Sequence, residues 1–290
     1  MRVAVFGATG TIGRSLVPRL AEEHEVTAVS RRPRTDEDGV RWVVADVENP
    51  TSVHEALSEI EVVYYLVHSL GREDFERRDR RGGAILARAA DSAGIRQIVY
   101  LGGLAGEQAE LSAHLRSRRE TEQALRSGTV PVTAIGAAVV VGRGSAAFET
   151  IVALVDRLPA MVCPRWVSTP TQPIALDDTV AYLAGVCGLE AAFSQSLQAG
   201  GPDVMTYRQM IEQIARIRGR TPRIVEVPVL TPRLSSYWLQ LVTPVNASVA
   251  RPLVDGLRIP TVVTDPRLQE LVPLDRTPFA TAARRALAER

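Results

Sequence analysis

Arg2-Val3-Ala4-Val5-Phe6-Gly7-Ala8-Thr9-Gly10-Thr11-Ile12-Gly13 opens the chain, and this stretch predicts the fold. Residues 2–6 are a mostly apolar run, and residues 14–23 continue with apolar positions at helical spacing, so the order is strand, glycine turn and helix. A glycine motif in this context is typical of dinucleotide binding. The first glycine permits the tight turn, the second lets a pyrophosphate approach the backbone, and the third lets the helix pack closely on the strand.

We therefore predict that this turn and the start of the helix bind the phosphates of a dinucleotide, because a helix N terminus presents free N–H groups and a positive dipole end. The spacing is G-x-x-G-x-x-G rather than G-x-G-x-x-G, so an ordinary glycine-rich turn is the alternative. The predicted contacts within the stretch are Gly7, Thr9, Gly10, Thr11, Ile12 and Gly13.

The bulk composition is that of an ordinary globular protein. The 290 residues are 46% hydrophobic and 23% charged, which is enough apolar material for a sizeable core. The net charge of +1 favours neither nucleic acid nor an anionic membrane surface as a partner. No apolar run approaches the ~18 residues of a membrane-spanning helix, and the predicted strand at residue 2 leaves no room for a signal peptide. We expect a cytoplasmic protein without a membrane span.

Two residue types limit the chemistry. All 34 basic residues are arginine, so no lysine is present to form a Schiff base or to lower the pKa of a neighbouring group. The two cysteines, Cys163 and Cys187, lack C-x-x-C spacing and have no histidine nearby, so we expect buried thiols and no metal site.

Apolar runs alternate with helical patterns through the first half of the chain. Strands that alternate with helices predict an α/β protein with a Rossmann-type doubly wound parallel sheet. Prolines cluster after Gly142, and we therefore divide the chain into a dinucleotide-binding Rossmann core at 1–142 and a small mixed substrate lobe at 143–290, which also returns elements to the core. The predicted strands cover residues 2–6, 26–30, 40–47, 61–67, 97–101 and 132–141.

Further motifs resemble those of the extended and atypical short-chain dehydrogenase/reductases. Gly7–Gly13 matches their cofactor motif, Asp46-Val47 their adenine-contacting pair, and Ile98–Gly103 the end of their fifth strand. Tyr65–Ser69 and His114–Arg118 are similar to segments of bacterial NAD(P)H-binding proteins whose relatives include triphenylmethane reductases, quinone reductases and NmrA-type regulators. The resemblance implies an NAD(P)-binding core with these additional cofactor contacts: Asp46, Val47, Leu66, His68, Ser69, Gly102 and Arg118.

The end of the second strand indicates which dinucleotide is preferred. An NAD-preferring site usually has an acidic residue there to hold the ribose 2′-OH, whereas this chain has Ser30-Arg31-Arg32. A guanidinium suits a 2′-phosphate, because its planar fork forms charge-assisted bidentate hydrogen bonds. We predict NADP(H) as the cofactor, bound by Arg31 and Arg32, and a solvated run of charges is the alternative.

Active members of the resembled family carry a Tyr-x-x-x-Lys pair on the helix after the fifth strand and a serine just past that strand. This chain has His114 at the tyrosine position, Arg118 at the lysine position and Gly102-Gly103 in place of the serine segment. Histidine is the commonest general acid or base, and the i, i+4 spacing places both residues on one helix face. We predict His114 as a proton donor, with helix capping as its alternative role. We predict Arg118 as a nicotinamide-ribose contact whose charge lowers the pKa of His114.

Predicted substrate contacts follow the sixth strand. Ser145 comes after a glycine-containing loop beside the expected nicotinamide site, and its alternative role is the N-cap of the next helix. Phe148, Met161 and Trp166, with Tyr237 and Trp238, are expected to line an apolar pocket, and the alternative is that they belong to the core.

Two classes of function are consistent with these residues. The first is an NADP(H)-dependent oxidoreductase that reduces an apolar carbonyl, quinone or conjugated small molecule, in which the proton comes from His114 or from water. The second is a non-catalytic NADP(H)-binding regulator or assembly protein, which the missing tyrosine, lysine and serine favour. The expected partner is a small apolar substrate rather than nucleic acid. The sequence is compatible with a monomer and with a homodimer.

Overall fold

The computed structural model describes residues 1–69, 71–72, 74–106, 111–227 and 256–288. Its strands are β1 (Arg2–Phe6), β2 (Glu25–Ser30), β3 (Arg41–Val44), β4 (Val62–Tyr65), β5 (Gln97–Gly103), β6 (Val132–Ala137), β7 (Val140–Val141), β8 (Ala160–Pro164), β9 (Pro170–Thr171), β10 (Ile174–Ala175), β11 (Ser196–Ala199), β12 (Met205–Thr206) and β13 (Arg223–Val227). Seven of them form a parallel sheet in the order β3-β2-β1-β4-β5-β6-β11. This is the Rossmann order with one added strand, so the predicted fold class is confirmed.

Helices cover both faces of the sheet. The α-helices of the described residues are α1 (Thr11–Ala21), α2 (Pro50–Ala56), α3 (Phe75–Ala93), α4 (Ala113–Leu125), α5 (Ala146–Arg157), α6 (Leu176–Gly185), α7 (Tyr207–Ile217), α8 (Arg267–Leu271) and α9 (Phe279–Ala288), of which α5, α7 and α9 pack in a separate cluster. None of the helices in the described ranges combines the length and the apolarity that a bilayer crossing requires.

Alternate residues of the central strand serve the two faces. Val3 and Val5 of β1 pack into the layer that contains α1 and α6, whereas Ala4 and Phe6 pack into the layer that contains α2 and α3. Side chains of a strand point alternately to opposite faces, so a strand covered on both sides must be apolar throughout. This explains why the run before the glycine turn contains no polar residue after Arg2.

Three predicted strands are longer than the structure shows. The run 61–67 forms a strand only at Val62–Tyr65. The run 40–47 forms a strand only at Arg41–Val44, and Ala45 and Asp46 continue into a turn toward α2. The run 132–141 divides, because β6 ends at Ala137 and β7 pairs with β10 in a separate two-stranded sheet. Both halves of that run are apolar, so hydrophobicity alone does not reveal that the chain changes sheets.

The second half of the chain contributes to two layers. Strand β11 pairs with β6 at the sheet edge, and α6 packs against α1. A separate hydrophobic cluster unites α5, α7 and α9, with Phe148, Met210 and Ala283 among its buried residues. The second half therefore builds a core of its own and also completes the Rossmann sheet, and where to divide the chain stays a prediction.

Candidate functional site

The glycine turn joins β1 to α1 with two close backbone contacts. Gly7 has φ +88°, and a Cβ there would lie 2.9 Å from the carbonyl carbon of Leu66. A Cβ at Gly13 would lie 2.3 Å from the carbonyl oxygen of Gly7. No side chain fits at either position, because the first needs a left-handed backbone and the second needs the helix against the strand. These are the two structural roles expected for the first and third glycines of the motif.

Gly10 is the N-cap residue of α1, and its N–H donates to the carbonyl oxygen of Gly7 at 2.9 Å. Among the described residues, a Cβ at Gly10 would meet only that carbonyl oxygen, at 3.2 Å. The N–H groups of the first turn of α1 have no partner within the helix. The turn is therefore a cradle that a side chain at Gly10 would fill, and it fits a dinucleotide pyrophosphate.

Two clefts meet at this turn. The large cleft has a volume of about 450 Å³ and extends between α4, the end of β6 and the start of α5. The small cleft has a volume of about 310 Å³ and extends over the ends of β2 and β3. Both clefts are lined by the same four residues at their junction: Gly7, Gly10, Leu66 and His68. A molecule that crosses the turn can therefore occupy both clefts.

The small cleft gathers most of the residues predicted to contact the adenosine half of the cofactor. Arg31 and Arg32 are both exposed, and only Arg31 lines this cleft. Sequence reasoning missed an ion pair on its wall, in which Arg78 Nη2 of α3 lies 2.5 Å from Glu48 Oε2. The predicted residues on its walls are Gly7, Thr9, Gly10, Arg31, Asp46, Val47, Leu66, His68 and Ser69.

The large cleft brings together three predicted residues that are remote in sequence. His68 comes from the loop after β4, and His114 and Arg118 come from the first two turns of α4. We call these three side chains the His-Arg cluster. The Ser112 side chain caps α4 by accepting from the Leu115 N–H at 3.4 Å, so capping does not require His114. The cluster stands among apolar side chains, including Leu66, Leu101 and Leu115.

Both histidines of the cluster are neutral near pH 7. Burial and the charge of Arg118 lower the pKa of His114 to about 3. The charge of Arg118, followed by burial and by His114, lowers the pKa of His68 to about 3. The His68 ring is open to the cleft, so solvent screens part of this effect. The lowering of the His114 pKa by Arg118 agrees with the sequence-based prediction. Because an imidazolium ion is scarce at neutral pH, His114 is able to act there through a neutral N–H.

A buried carboxylate that the sequence analysis missed holds the cluster in place. Asp79 of α3 is 4% exposed, and its Oδ1 accepts from the Ser69 N–H at 2.7 Å. Its Oδ2 accepts from the Ser117 hydroxyl of α4 at 3.3 Å. Burial raises the pKa of Asp79, while Arg118 and the hydrogen bonds from Ser69 and Ser117 oppose the rise. Asp79 thus ties the His68 loop to the helix that carries His114 and Arg118.

The loop before α5 closes the large cleft on the side of the glycine turn. The Thr11 hydroxyl donates to the Gly144 carbonyl oxygen at 2.8 Å. Ser145 occupies the N-cap position of α5, but its side chain accepts no capping hydrogen bond. The carboxylate of Glu149 instead accepts from the Gly144 N–H at 3.2 Å. Ser145 therefore lines the cleft without serving the capping role that was its alternative.

Two predicted substrate contacts do not reach the cleft. Phe148 is completely buried in the cluster formed by α5, α7 and α9, because it lies on the inner face of α5. Trp166 packs edge-to-face against Tyr207, with 6.2 Å between the ring centroids, and borders the same cluster. The prediction that Phe148 and Trp166 contact substrate is therefore wrong, and both residues belong to the hydrophobic core, which was the alternative. Tyr237 and Trp238 lie outside the described residues.

Comparison with known proteins agrees with this geometry. Residues 7–141 match the NAD(P)H-binding family. The chain is 29% identical over 238 residues to the (4-alkanoyl-5-oxo-2,5-dihydrofuran-3-yl)methyl phosphate reductase of Streptomyces griseus, a match that covers 78% of this chain and 77% of the relative. A triphenylmethane reductase of Citrobacter, solved with NADP(H), superposes with a TM-score of 0.77 at 18% identity and covers 99% of this chain and 100% of its own. An NADPH-dependent quinone oxidoreductase of Escherichia coli superposes with a TM-score of 0.80 at 17% identity, with the same two coverages.

A Rossmann sheet with a glycine cradle between two connected clefts defines an NAD(P)H-binding protein. Residues 7–141 carry the match to the NAD(P)H-binding family, and the fold is that of the triphenylmethane reductase and the quinone oxidoreductase. The relatives of the chain include reductases. The NAD(P)H cofactor class implied by the sequence motifs is thus confirmed.

Proposed function

We propose that the protein is an NADPH-dependent reductase of small apolar molecules in which a carbon–carbon double bond is conjugated to a carbonyl group, as in enones and quinones. The observation that carries the proposal is the His-Arg cluster, a guanidinium and two neutral imidazoles in an otherwise apolar cleft beside the glycine cradle. The relative from Streptomyces griseus supports this substrate class, because its named substrate carries oxo and alkanoyl groups on a dihydrofuran ring.

The cluster suits a reaction that creates negative charge on oxygen. When bound, the reduced dinucleotide supplies a hydride, and a conjugated acceptor that takes it at the far carbon of its double bond becomes an enolate. None of the ion pairs among the described residues engages Arg118, so its guanidinium is available to the enolate oxygen. His114 donates a second hydrogen bond from its neutral N–H. Fixed donors in a poorly solvated site stabilise such a charge strongly.

Water completes the reaction by giving a proton to the enolate carbon next to the carbonyl. No strong acid is needed for this step, which agrees with the lowered pKa of His114 and with the absence of the Tyr-x-x-x-Lys pair. The apolar walls contributed by Leu101, Leu104 and Leu115 hold the ring of the acceptor and keep the charged transition state away from bulk water. The residues of this chain thus orient the acceptor and stabilise its developing charge.

NADPH is the proposed form of the cofactor, and cytoplasm is the proposed location. Arg31 lines the small cleft at the end of β2, where an NAD-preferring protein has an acidic residue. The guanidinium at this position matches a 2′-phosphate in charge and in geometry. Arg32 does not line the cleft, so we assign the preference to Arg31 alone.

The direct test is NADPH oxidation against a panel of enones, quinones and saturated ketones. We expect turnover with the enones and quinones and little with the saturated ketones, which cannot form an enolate by hydride addition. Arg118→Met and His114→Ala should each lower kcat by about 10²–10³-fold, the usual cost of removing one donor to a developing oxyanion. Affinity for NADPH, measured by calorimetry, should change by less than about threefold, because the lost contact belongs to the acceptor.

Arg116→Met is the matched control, since Arg116 lies on the same helix but pairs with Glu76 outside the cleft. An Arg118 variant that loses NADPH affinity as strongly as turnover would place the guanidinium on the nicotinamide ribose instead. Tight NADPH binding with no turnover on any member of the panel would favour the regulator or assembly alternative.

A further inference from the structure

Three hydroxyl groups from distant parts of the chain meet at the large cleft. They belong to Thr171 of β9, Tyr207 at the first position of α7 and Thr261, which pairs with Thr171 through a parallel β-bridge. The Thr171 and Thr261 hydroxyls are hydrogen-bonded at 2.7 Å. The Tyr207 hydroxyl adjoins both of them, and this contact partly offsets the rise that burial causes in the pKa of Tyr207. We call these residues the hydroxyl cluster.

All three members are more than nine-tenths buried, with exposures of 0% for Thr171, 3% for Tyr207 and 7% for Thr261. Burying a hydroxyl in an apolar region costs free energy unless it forms hydrogen bonds. The cluster carries three protons, of which the Thr171–Thr261 bond uses one. The remaining two can be donated within the cluster or to an oxygen atom in the cleft.

The cluster has access to the cleft. Tyr207 and Thr261 both line the large cleft, although almost all of their surface is buried. Their neighbours on the wall of the second half of the chain are apolar or small, including Ala146, Ala147 and Leu257. Besides the Ser145 hydroxyl and the N–H groups of the glycine turn, the large cleft therefore has two separate clusters of hydrogen-bonding side chains, the His-Arg cluster on the Rossmann side and the hydroxyl cluster on the other wall.

We propose that the hydroxyl cluster is a substrate subsite that binds a second oxygen of the acceptor, so that the substrate is an apolar ring with oxygen functions on opposite sides. This proposal rests on the proposed reductase function and narrows its substrate class. The first oxygen lies at the His-Arg cluster and becomes the enolate oxygen, while the second accepts a hydrogen bond from Tyr207. A neutral hydroxyl suits a carbonyl or hydroxyl group, whereas a carboxylate or phosphate would require a positive charge on this wall.

The test uses two acceptors that differ by one oxygen. Cyclohexenone has a single carbonyl, and cyclohexene-dione has a second carbonyl across the ring. Tyr207→Phe should lower kcat/KM for the dione by roughly tenfold, the worth of a good neutral hydrogen bond, and should change kcat/KM for cyclohexenone by less than about twofold. Because each variant is compared with the wild type on each acceptor, the different intrinsic reactivities of the two compounds cancel.

Thr261→Val removes a hydroxyl at nearly constant volume. It should lower kcat/KM for the dione selectively, but by less than Tyr207→Phe does. This second variant tests the subsite if Tyr207→Phe folds poorly. Tyr64→Phe is the matched control, since Tyr64 is also buried and donates its hydroxyl to the Leu183 carbonyl oxygen at 2.8 Å, away from both clefts. It should affect the two acceptors equally.

Binding of both acceptors to the NADP⁺-loaded protein, which cannot reduce them, is measured in parallel by calorimetry. A preference for the dione that disappears in Tyr207→Phe supports the subsite even when no acceptor is reduced, and in that case only the proposed reductase function is overturned. Equal losses for the two acceptors, or no binding of either one by the wild type, overturn the subsite. If the protein reduces both acceptors and Tyr207→Phe lowers kcat/KM equally for both, the reductase function is supported and the subsite is not.

Discussion

The glycine turn and the His-Arg cluster border the same cleft, but they depend on different kinds of interaction. The turn is defined by backbone contacts, most of them within the seven consecutive residues from Gly7 to Gly13 and one between Gly7 and Leu66. The cluster is assembled from the loop after β4 and from α4, and Asp79 of α3 holds these two elements together. A turn built from backbone contacts can bind a dinucleotide in many proteins of this fold. The reaction that each protein catalyses depends on side chains that the fold brings together from distant parts of the chain. Substitutions in the two regions should therefore have separable effects.

The largest effect is expected at the turn. Gly10→Val places a branched side chain in the cradle where both clefts meet, so the affinity for NADPH should fall by about a hundredfold or more. Calorimetry measures the affinity, and circular dichroism shows whether the protein is folded. Gly106→Val is the matched control, because a Cβ at Gly106 meets no atom of the described residues within 4 Å. A folded Gly10→Val protein with unchanged affinity for NADPH would show that the pyrophosphate does not bind at this turn.

A smaller effect is expected at the far end of the small cleft. Arg31→Asp should erase or invert a preference of at least about tenfold for NADPH over NADH, because a carboxylate repels the 2′-phosphate and accepts from a ribose 2′-OH. Dissociation constants for both dinucleotides check the result. Arg32→Asp makes the same change of charge on the neighbouring residue, which does not line the cleft, and should keep most of the preference. Similar losses in the two variants would show that general positive charge, rather than contact, sets the preference.

The contrast between the two regions also separates what the sequence predicts from what it does not. The strand, turn and helix of residues 2–21 are predicted because Gly10 and Gly13 are constrained by contacts with near neighbours and Gly7 by the tight turn itself. His114 and Arg118 are predicted because they stand at the tyrosine and lysine positions of the resembled family and share one helix face. His68 is predicted because a resembled motif contains it. None of these signals depends on knowing the rest of the fold.

Residues with no local pattern were missed or misplaced. Asp79 stands in the charged run Glu76–Arg81, where nothing distinguishes the one side chain that points inward. Phe148 is equally apolar whether it lines a pocket or a core, and only the orientation of α5 decides between the two. Strand β11 has four residues, too few for a period-two pattern to stand out, and its pairing with β6 makes it a strand.

The smallest expected effect concerns stability in acid, and it tests the protonation state of the His-Arg cluster without any substrate. The pKa of His114 is about 3 in the folded protein, and a histidine in an unfolded chain has a pKa near 6.5. Between these two values the unfolded chain binds protons that the folded chain does not, so stability falls as the pH falls below about 6.5. Asp79 has the opposite effect on stability. Burial raises its pKa, so as the pH falls the folded state binds this proton before the unfolded chain does, and stability increases.

Substitution isolates the contribution of His114 from that of Asp79 and of the other acidic groups. The urea midpoint of His114→Gln should drop less than that of the wild type between about pH 7 and about pH 4.5, because glutamine binds no proton in either state. His54→Gln removes an exposed imidazole outside both clefts and should follow the wild-type curve. If His114→Gln also follows the wild-type curve, His114 takes up its proton in the folded state as readily as in the unfolded one. The imidazolium would then be present at mildly acidic pH, and His114 would be the proton donor that its position in the helix suggests, rather than a neutral hydrogen-bond donor to the enolate.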